Sequence, residues 1–443
     1  MSSLIALDLS KYKEEINNIR PFKFIGSIDM VSGLTVESIG PVASVGELCR
    51  IYSESGEEFF AEVIGFRQNR LILMPIGKTS GIKPGLRVSP LGRSLSIKVN
   101  PDILGRIFDA LGNPIDDGNS ILEGVEYSLD NTPPHPLKRA RITDILPVGV
   151  KAIDSLLTCG RGQRIGIFAG SGVGKSTLLG MIARHSKADV NVIALIGERG
   201  REVRDFIEES LGEEGLGRSV VVVATSDQPP ILRLKAAFTA TAIAEYFRDM
   251  GKNVILLMDS VTRFAMAQRE IGLAGGEPPT TKGYTPSVFA LLPTLLERAG
   301  NSDKGSITAF YTVLVEADDM NEPIADAVRA ILDGHIVLSR SIAMENRYPP
   351  IDVLSSVSRV MPDIVSKEHM KAANKMKEIM SVYMEARDLI QIGAYVSGTD
   401  PRVDSAKELI YTIYEFLSQD IEEECSFDQS INRMLEIVRR YAF

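Results

Sequence analysis

The spacing of apolar positions changes period along this chain, and each change marks off a different kind of element. Over the first twenty residues Ile5, Leu9, Tyr12, Ile16 and Ile19 recur at alternating steps of four and three, which places them on one helical stripe. Lys11, Lys13, Glu14, Glu15 and Asn17 lie off that stripe, so an amphipathic helix is predicted over residues 1–20. Two readings of it stand: a helix packed on its own domain, or a docking helix for a partner or a membrane surface. From Gly26 to about Val99 the pattern turns into short apolar pieces such as Phe59 to Ile64 and Leu71 to Pro75. Turns at Ser53-Glu54-Ser55-Gly56, Arg67-Gln68-Asn69 and Lys83-Pro84-Gly85 punctuate them, which predicts a small β-barrel or sandwich. No catalytic constellation falls within it, leaving an assembly or collar role.

From about Val150 to Ser339 strands alternate with helices. Val190 to Ile196, Val220 to Ala224, Val254 to Met258 and Ile307 to Val313 are continuous apolar, β-rich runs, the pattern of a parallel sheet covered on both faces. Three helical stripes then close the chain: Met376, Ile379, Tyr383, Ala386 and Ile390; Ala406, Leu409, Ile413 and Phe416; and Phe427, Ile431, Met434, Val438 and Tyr441. Gly393 and Ser397-Gly398-Thr399-Asp400-Pro401 interrupt them as loops.

Composition narrows the picture. At 443 residues the chain suits two or three domains, and 44% hydrophobic with 24% charged residues describes an ordinary globular protein. A net charge of −9 argues against a nucleic-acid binder whose affinity rests on neutralising phosphates. No apolar run approaches the ~18 residues of a membrane span, and the N-terminus carries no signal-peptide pattern. Cys49, Cys159 and Cys425 lack metal-ligand spacing and read as isolated, reduced thiols in a cytosolic setting.

The chemistry concentrates in Ala169 to Thr177, AGSGVGKST. Gly170, Gly172 and Gly174 permit a tight turn that aims successive N–H groups inward, and the helix N-terminus behind them completes a nest for phosphate oxygens. Lys175 would neutralise the β- and γ-phosphates, and Ser176 offers a hydroxyl to a phosphate-bound Mg²⁺. The required context is present: Gln163 to Phe168 reads as a buried strand and Thr177 to Ala183 as an apolar helix. Asp259 closes the run Val254 to Met258 at the edge where ligands sit in open α/β sheets, and reads as an anchor for Mg²⁺ rather than a plain turn aspartate. Glu198, after the strand that follows the phosphate-loop helix, has two readings: the carboxylate that polarises an attacking water, or a surface glutamate paired with Arg199 or Arg201.

The runs GERGREVRDFIEESLGEEGL, VVVATSDQPP, IAEYFRDMGKNVILLMDSVTRFAMAQREIG, EPPTTKGYTPSVFALLPTLLERAG and SITAFYTVLVEADDMNEPIADAVRAILDGHIVLSR resemble the type III protein-export ATPase family over residues 20–440. That family is similar to the catalytic β subunit of rotary ATP synthases. The resemblance implies an α/β fold: a RecA-like P-loop core with an N-terminal β-barrel and a C-terminal helical domain, divided as an amphipathic helix at 1–20, barrel at 21–99, ATPase domain at 100–345 and helical domain at 346–443. It implies ATP and Mg²⁺ as ligands and a ring of six identical subunits. The loop Gly170, Ser171, Gly172, Val173, Gly174, Lys175, Ser176 and Thr177 would bind phosphates, Glu198 would activate water, and Asp259 with Ser176 would belong to the Mg²⁺ site. Arg199 and Arg263 match basic residues near the phosphates, with salt bridging inside the core as the other reading. Tyr348 matches an aromatic that stacks on adenine, with local packing against its prolines as the alternative. Arg359 matches an arginine finger that reaches into the neighbouring subunit's site. Ala169 departs from the usual opening glycine but removes no phosphate-facing donor.

The implied function is ATP hydrolysis coupled to export of flagellar subunits, in the cytoplasm and peripheral to the membrane. The implied partners are a stator or regulator, a central stalk, the export gate, chaperones and cargo, with no nucleic acid. SVYMEARDLIQIGAY and YPPIDVLSSVSRVMPDIV look more like flagellar members than injectisome members, which remain the alternative. A rotary synthase subunit would need a second, related chain in its ring. An RNA translocase would need a basic, aromatic N-terminal domain, and only 6% aromatic residues with no Trp disfavour it.

Overall fold

The computed structural model describes residues 24–119, 121, 123–315 and 319–440. The helix predicted at 1–20 and the last stripe position, Tyr441, lie outside them. The chain forms two compact units, the first ending at Leu95 and the second beginning at Ser96.

The first unit is a closed barrel. Its strands β1 (Gly26–Ser32), β2 (Thr35–Ile39), β3 (Leu48–Tyr52), β4 (Glu58–Arg67), β5 (Arg70–Pro75) and β6 (Arg87–Pro90) pair in the order β1-β2-β5-β4-β3-β6 and close antiparallel through β1 and β6. Alternating side chains point inward, so Ile28, Val36, Ile51, Val63, Leu73 and Val88 fill one small core. Closure, which leaves no free sheet edge, selects a barrel over a sandwich here. The bulge between Val63 and Gly65 on β4 supplies local curvature.

The second unit is built on a largely parallel sheet. Its strands are β8 (Ile107–Phe108), β10 (Arg164–Ala169), β11 (Val190–Ile196), β12 (Ser219–Ala224), β13 (Asn253–Asp259), β15 (Ser306–Leu314), β16 (Gly334–Leu338) and β17 (Ile351–Ser358), in the order β17-β16-β10-β15-β13-β11-β12-β8. Strand β14 (Gly300–Asn301) pairs with β15, while β7 (Ser96–Val99) and β9 (Val125–Ser128) form a separate ribbon. Every residue of β11 and β12 is buried, because helices cover both faces, and this is why their sequences are unbroken apolar runs. The edge strands gave no such pattern: β8 is two residues long, and β17 exposes Leu354, Ser355 and Val357 on a mixed, antiparallel edge.

Helices Lys367–Gln391, Pro401–Leu417 and Phe427–Val438 carry the three predicted stripes. Asp400 caps the second, and Ser426 with Gln429 makes a capping box for the third. Their buried Met376, Ile379, Ala406, Ile413 and Met434 belong to the same apolar cluster as Ile153 and Leu156 on the short helix Lys151–Leu156, and as Val173 of the phosphate loop. The C-terminal helices and the nucleotide-binding sheet therefore share one core. None of the described helices is long and apolar enough to cross a membrane. Cys49, Cys159 and Cys425 are free, and burial pushes the Cys49 thiol up to about 12.

Candidate functional site

Strand β10 ends at Ala169 and the chain turns through Gly170 to Gly174 into the helix Lys175–His185. Gly172 and Gly174 hold φ of +76° and +99°, left-handed values that a side chain would strain, so these two glycines make the turn possible. Val173, 3% exposed, pins the loop to the core while its neighbours stay open. Lys175 begins the helix, and its Nζ lies 2.5 Å from Asp259 Oδ1 and 3.7 Å from Glu198 Oε1.

Each carboxylate is presented by the end of a neighbouring strand. Leu195 of β11 pairs with Asp259 of β13. Asp259 is buried, and its Oδ1 also accepts a 2.8 Å hydrogen bond from Thr312 Oγ1 on β15. Beyond Asp259, Ser260 accepts from the Arg263 N–H and caps the helix Val261–Gly275. Glu198 follows Gly197, whose φ of +70° turns the chain across Arg263; a Cβ on Gly197 would approach the Arg263 side chain to 3.0 Å. Burial, and next the negative Asp259, push Glu198 up to about 7, while Lys175 pulls the other way and a hydrogen bond with Glu202 adds to the rise. One lysine thus faces two carboxylates, and it lines with Glu198 a cavity of about 1000 Å³. Glu202, Arg199, Arg263, Arg269, Lys282, Tyr284 and Arg340 line its walls, and its size is at the upper end of the range for small-molecule sites.

The comparisons with known proteins agree with this fold. Residues 149–358 match the ATP synthase alpha/beta family nucleotide-binding domain, 28–92 its beta-barrel domain, and 365–436 the T3SS EscN ATPase C-terminal domain. The chain is 57% identical to the flagellum-specific ATP synthase of Bacillus subtilis, over 93% of this chain and 94% of that one. It is 50% identical to the type 3 secretion system ATPase of Xanthomonas euvesicatoria, over 93% of each. It superposes on the assembled ATPase EscN of enteropathogenic Escherichia coli with a TM-score of 0.89 at 48% identity, covering 93% of this chain and all of that one. EscN in complex with its central stalk EscO gives a TM-score of 0.86.

The chain belongs to the flagellum-specific and type III secretion ATPase family.

Within this ATPase the remaining candidates divide by position. Tyr348 lies against the phosphate loop: a Cβ on Gly174 would meet its Cε1 at 4.0 Å, and the residue is 46% exposed. Arg263 lines the cavity wall, forms no ion pair among the described residues, and its buried Nε has no hydrogen-bond partner among them. Arg199 instead pairs with Glu202 at 3.3 Å and is 81% exposed at its side chain. Arg359 is not brought to the cavity. It is exposed at the end of β17, its N–H donating to Asp333 O at 3.0 Å and its Nη2 to Arg329 O at 3.4 Å.

The donor set suits Mg²⁺. Ser176 is exposed at the first turn of the loop helix, Asp259 is a buried carboxylate, and no group of three or more metal-ligating side chains exists among the described residues. A cation held by few protein oxygens and completed by phosphates and water is the way Mg²⁺ is usually bound. Sequence reading missed Glu202, Arg269, Lys282, Tyr284 and Arg340. The first was findable, lying in the same short run as Glu198; the others reach the cavity only through the tertiary fold.

Proposed function

We propose that this chain hydrolyses ATP to ADP and phosphate as one subunit of a homohexameric ring, and that the hydrolysis serves export of flagellar proteins. The observation that carries the reading is Lys175 suspended between Asp259 and Glu198 at the mouth of the phosphate loop. The loop N–H groups from Gly170 to Thr177 and the helix N-terminus bind phosphate oxygens, and Lys175 supplies the fixed cation. Ser176 and Asp259 would hold Mg²⁺, which when bound screens the charge of the transferring phosphate. Glu198 orients a water and takes its proton as the water oxygen bonds to the γ-phosphorus and ADP leaves. Arg263 faces the same phosphates, Tyr348 stacks on the base, and Arg359 of one subunit completes the site of the next.

The flagellar assignment is supported by 57% identity to the flagellum-specific enzyme of Bacillus subtilis, against 50% to the secretion ATPase of Xanthomonas euvesicatoria. The chain would work in the cytoplasm at the membrane face of the export apparatus, with a stator, central stalk, export gate, chaperones and cargo as partners. Replacing the gene by its Glu198→Gln form tests this. Loss of filaments and of secreted flagellar subunits is expected; intact motility with loss of effector secretion would move the enzyme to an injectisome.

A further inference from the structure

The segment that carries Tyr348 links the helix Arg340–Met344 to β17, where the Ser339 N–H donates to Pro350 O at 2.9 Å, and the C-terminal helices hold it as well. On one side of it, the Arg347 guanidinium stacks 3.8 Å from the ring centroid of Tyr414, on the helix Pro401–Leu417, and pairs with Glu345 at 2.5 Å. On the other, the backbone N–H of Gln419, two residues past that helix, donates to the Tyr348 carbonyl at 2.8 Å. Gln419 is 5% exposed, and its side-chain amide is fully used. Its Oε1 accepts from the Lys151 N–H at 2.8 Å, and its Nε2 donates to Gly149 O and Glu423 O, each at 2.8 Å. Lys151 adds an ion pair to Glu423 at 2.5 Å.

The two donors and the acceptor of this amide thus end on three backbone groups: two at the start of the helix Lys151–Leu156 and one in the loop after Gln419. Removing the amide leaves three backbone groups without their partner, one of them, Gly149 O, buried and the other two part-buried, so residue 419 ties its surroundings together. The backbone N–H of the same residue is spent on Tyr348. We propose that Gln419 is a positioning residue for Tyr348: it sets where the aromatic ring stands beside the phosphate loop, and so sets affinity for the base of ATP without touching the nucleotide. The proposal rests on the reading of Tyr348 as the base-stacking side chain. It also gives the C-terminal helices a direct hold on the nucleotide site.

The test uses the full-length chain and measures kcat and KM for ATP together with the inhibition constant of inorganic tripolyphosphate, which has phosphates but no base. Gln419→Met keeps the length of the side chain and removes its amide. KM for ATP is expected to rise about tenfold, the worth of one well-placed aromatic contact, with kcat within about twofold. The inhibition constant of tripolyphosphate is expected to stay unchanged. Tyr348→Ala should raise KM similarly, and the double variant should be no worse than Tyr348→Ala alone. Gln419→Glu, which keeps shape and the acceptor for Lys151 but repels Gly149 O and Glu423 O, serves if the methionine variant does not fold. Unchanged KM in the Gln419 variants, equal weakening of tripolyphosphate, or multiplicative effects in the double variant would overturn the proposal. Unchanged KM in Tyr348→Ala would instead overturn the stacking reading, and this inference with it.

Discussion

Lys175 and Arg359 are both cations assigned to the same phosphate chemistry, yet they are held in opposite ways. Lys175 is 11% exposed and sits among carboxylates presented by the ends of β11 and β13, so its place is settled by its own chain. Arg359 is exposed at the end of the edge strand β17, with no carboxylate partner among the described residues. A side chain whose counter-charges are local is fixed before any ligand arrives. One without them is free to meet an anion outside its own chain, as the proposed role of Arg359 in the neighbouring subunit's site requires.

The largest effect that sharpens this contrast comes from Lys175→Ala. Turnover should fall by at least about 10³-fold, since the phosphates lose their fixed cation. The ATP-free protein should also lose stability, by about 3 kcal/mol at pH 8, because Asp259 is left buried without its ion pair. Thermal unfolding read beside ATPase assays separates the two losses. Arg359→Ala should cost a similar ~10³ in turnover with no measurable change in stability, since its side chain makes one long hydrogen bond to a backbone carbonyl. Mixing Arg359→Ala with Lys175→Ala subunits should restore part of the activity, because some interfaces then combine an intact loop with an intact arginine. Absence of any rescue would break the contrast.

Smaller effects test the electrostatics of the buried end. In the folded ATP-free protein Glu198 titrates near 7 rather than at its ordinary 4.5, so between those values the folded state binds more protons than the unfolded one. Stability linked to this group therefore falls as pH rises from about 4.5 to about 7, and stays low above that. Glu198→Gln removes the titration. Its melting temperature should match wild type near pH 4 and exceed it at pH 8, by the equivalent of 1 to 2 kcal/mol, on the order of a screened shift of this size. Smallest of all should be Arg199→Ala, an exposed cation paired only with Glu202: stability within about 0.5 kcal/mol and turnover within about tenfold.

How much of this was legible in the sequence follows from how local each feature is. Val190 to Ile196 could be read as a strand to the residue, because burial on both faces leaves no polar position to blur it. The phosphate loop was equally plain, since its glycines answer to backbone angles that the turn itself demands. Glu198 and Asp259 were placed by their strand ends, but that Lys175 would lie within 2.5 Å of one and 3.7 Å of the other depends on the pairing of β11 with β13. Strand β17 escaped notice because an edge strand with exposed Leu354 and Val357 carries no clean alternation. Gln419 escaped for a deeper reason. Its partners, Gly149, Lys151 and Tyr348, lie far away along the chain, and a glutamine after a helix looks the same whether its amide is solvated or buried.

The most direct test of the account is to compare ATP binding and single-turnover hydrolysis in wild type and Glu198→Gln at pH 7.5. Nucleotide affinity within a few-fold of wild type with hydrolysis reduced by about 10²-fold or more is the result the account predicts. Hydrolysis at the wild-type rate would contradict it, and would mean that the carboxylate beside Lys175 is a structural counter-charge and not the group that activates water.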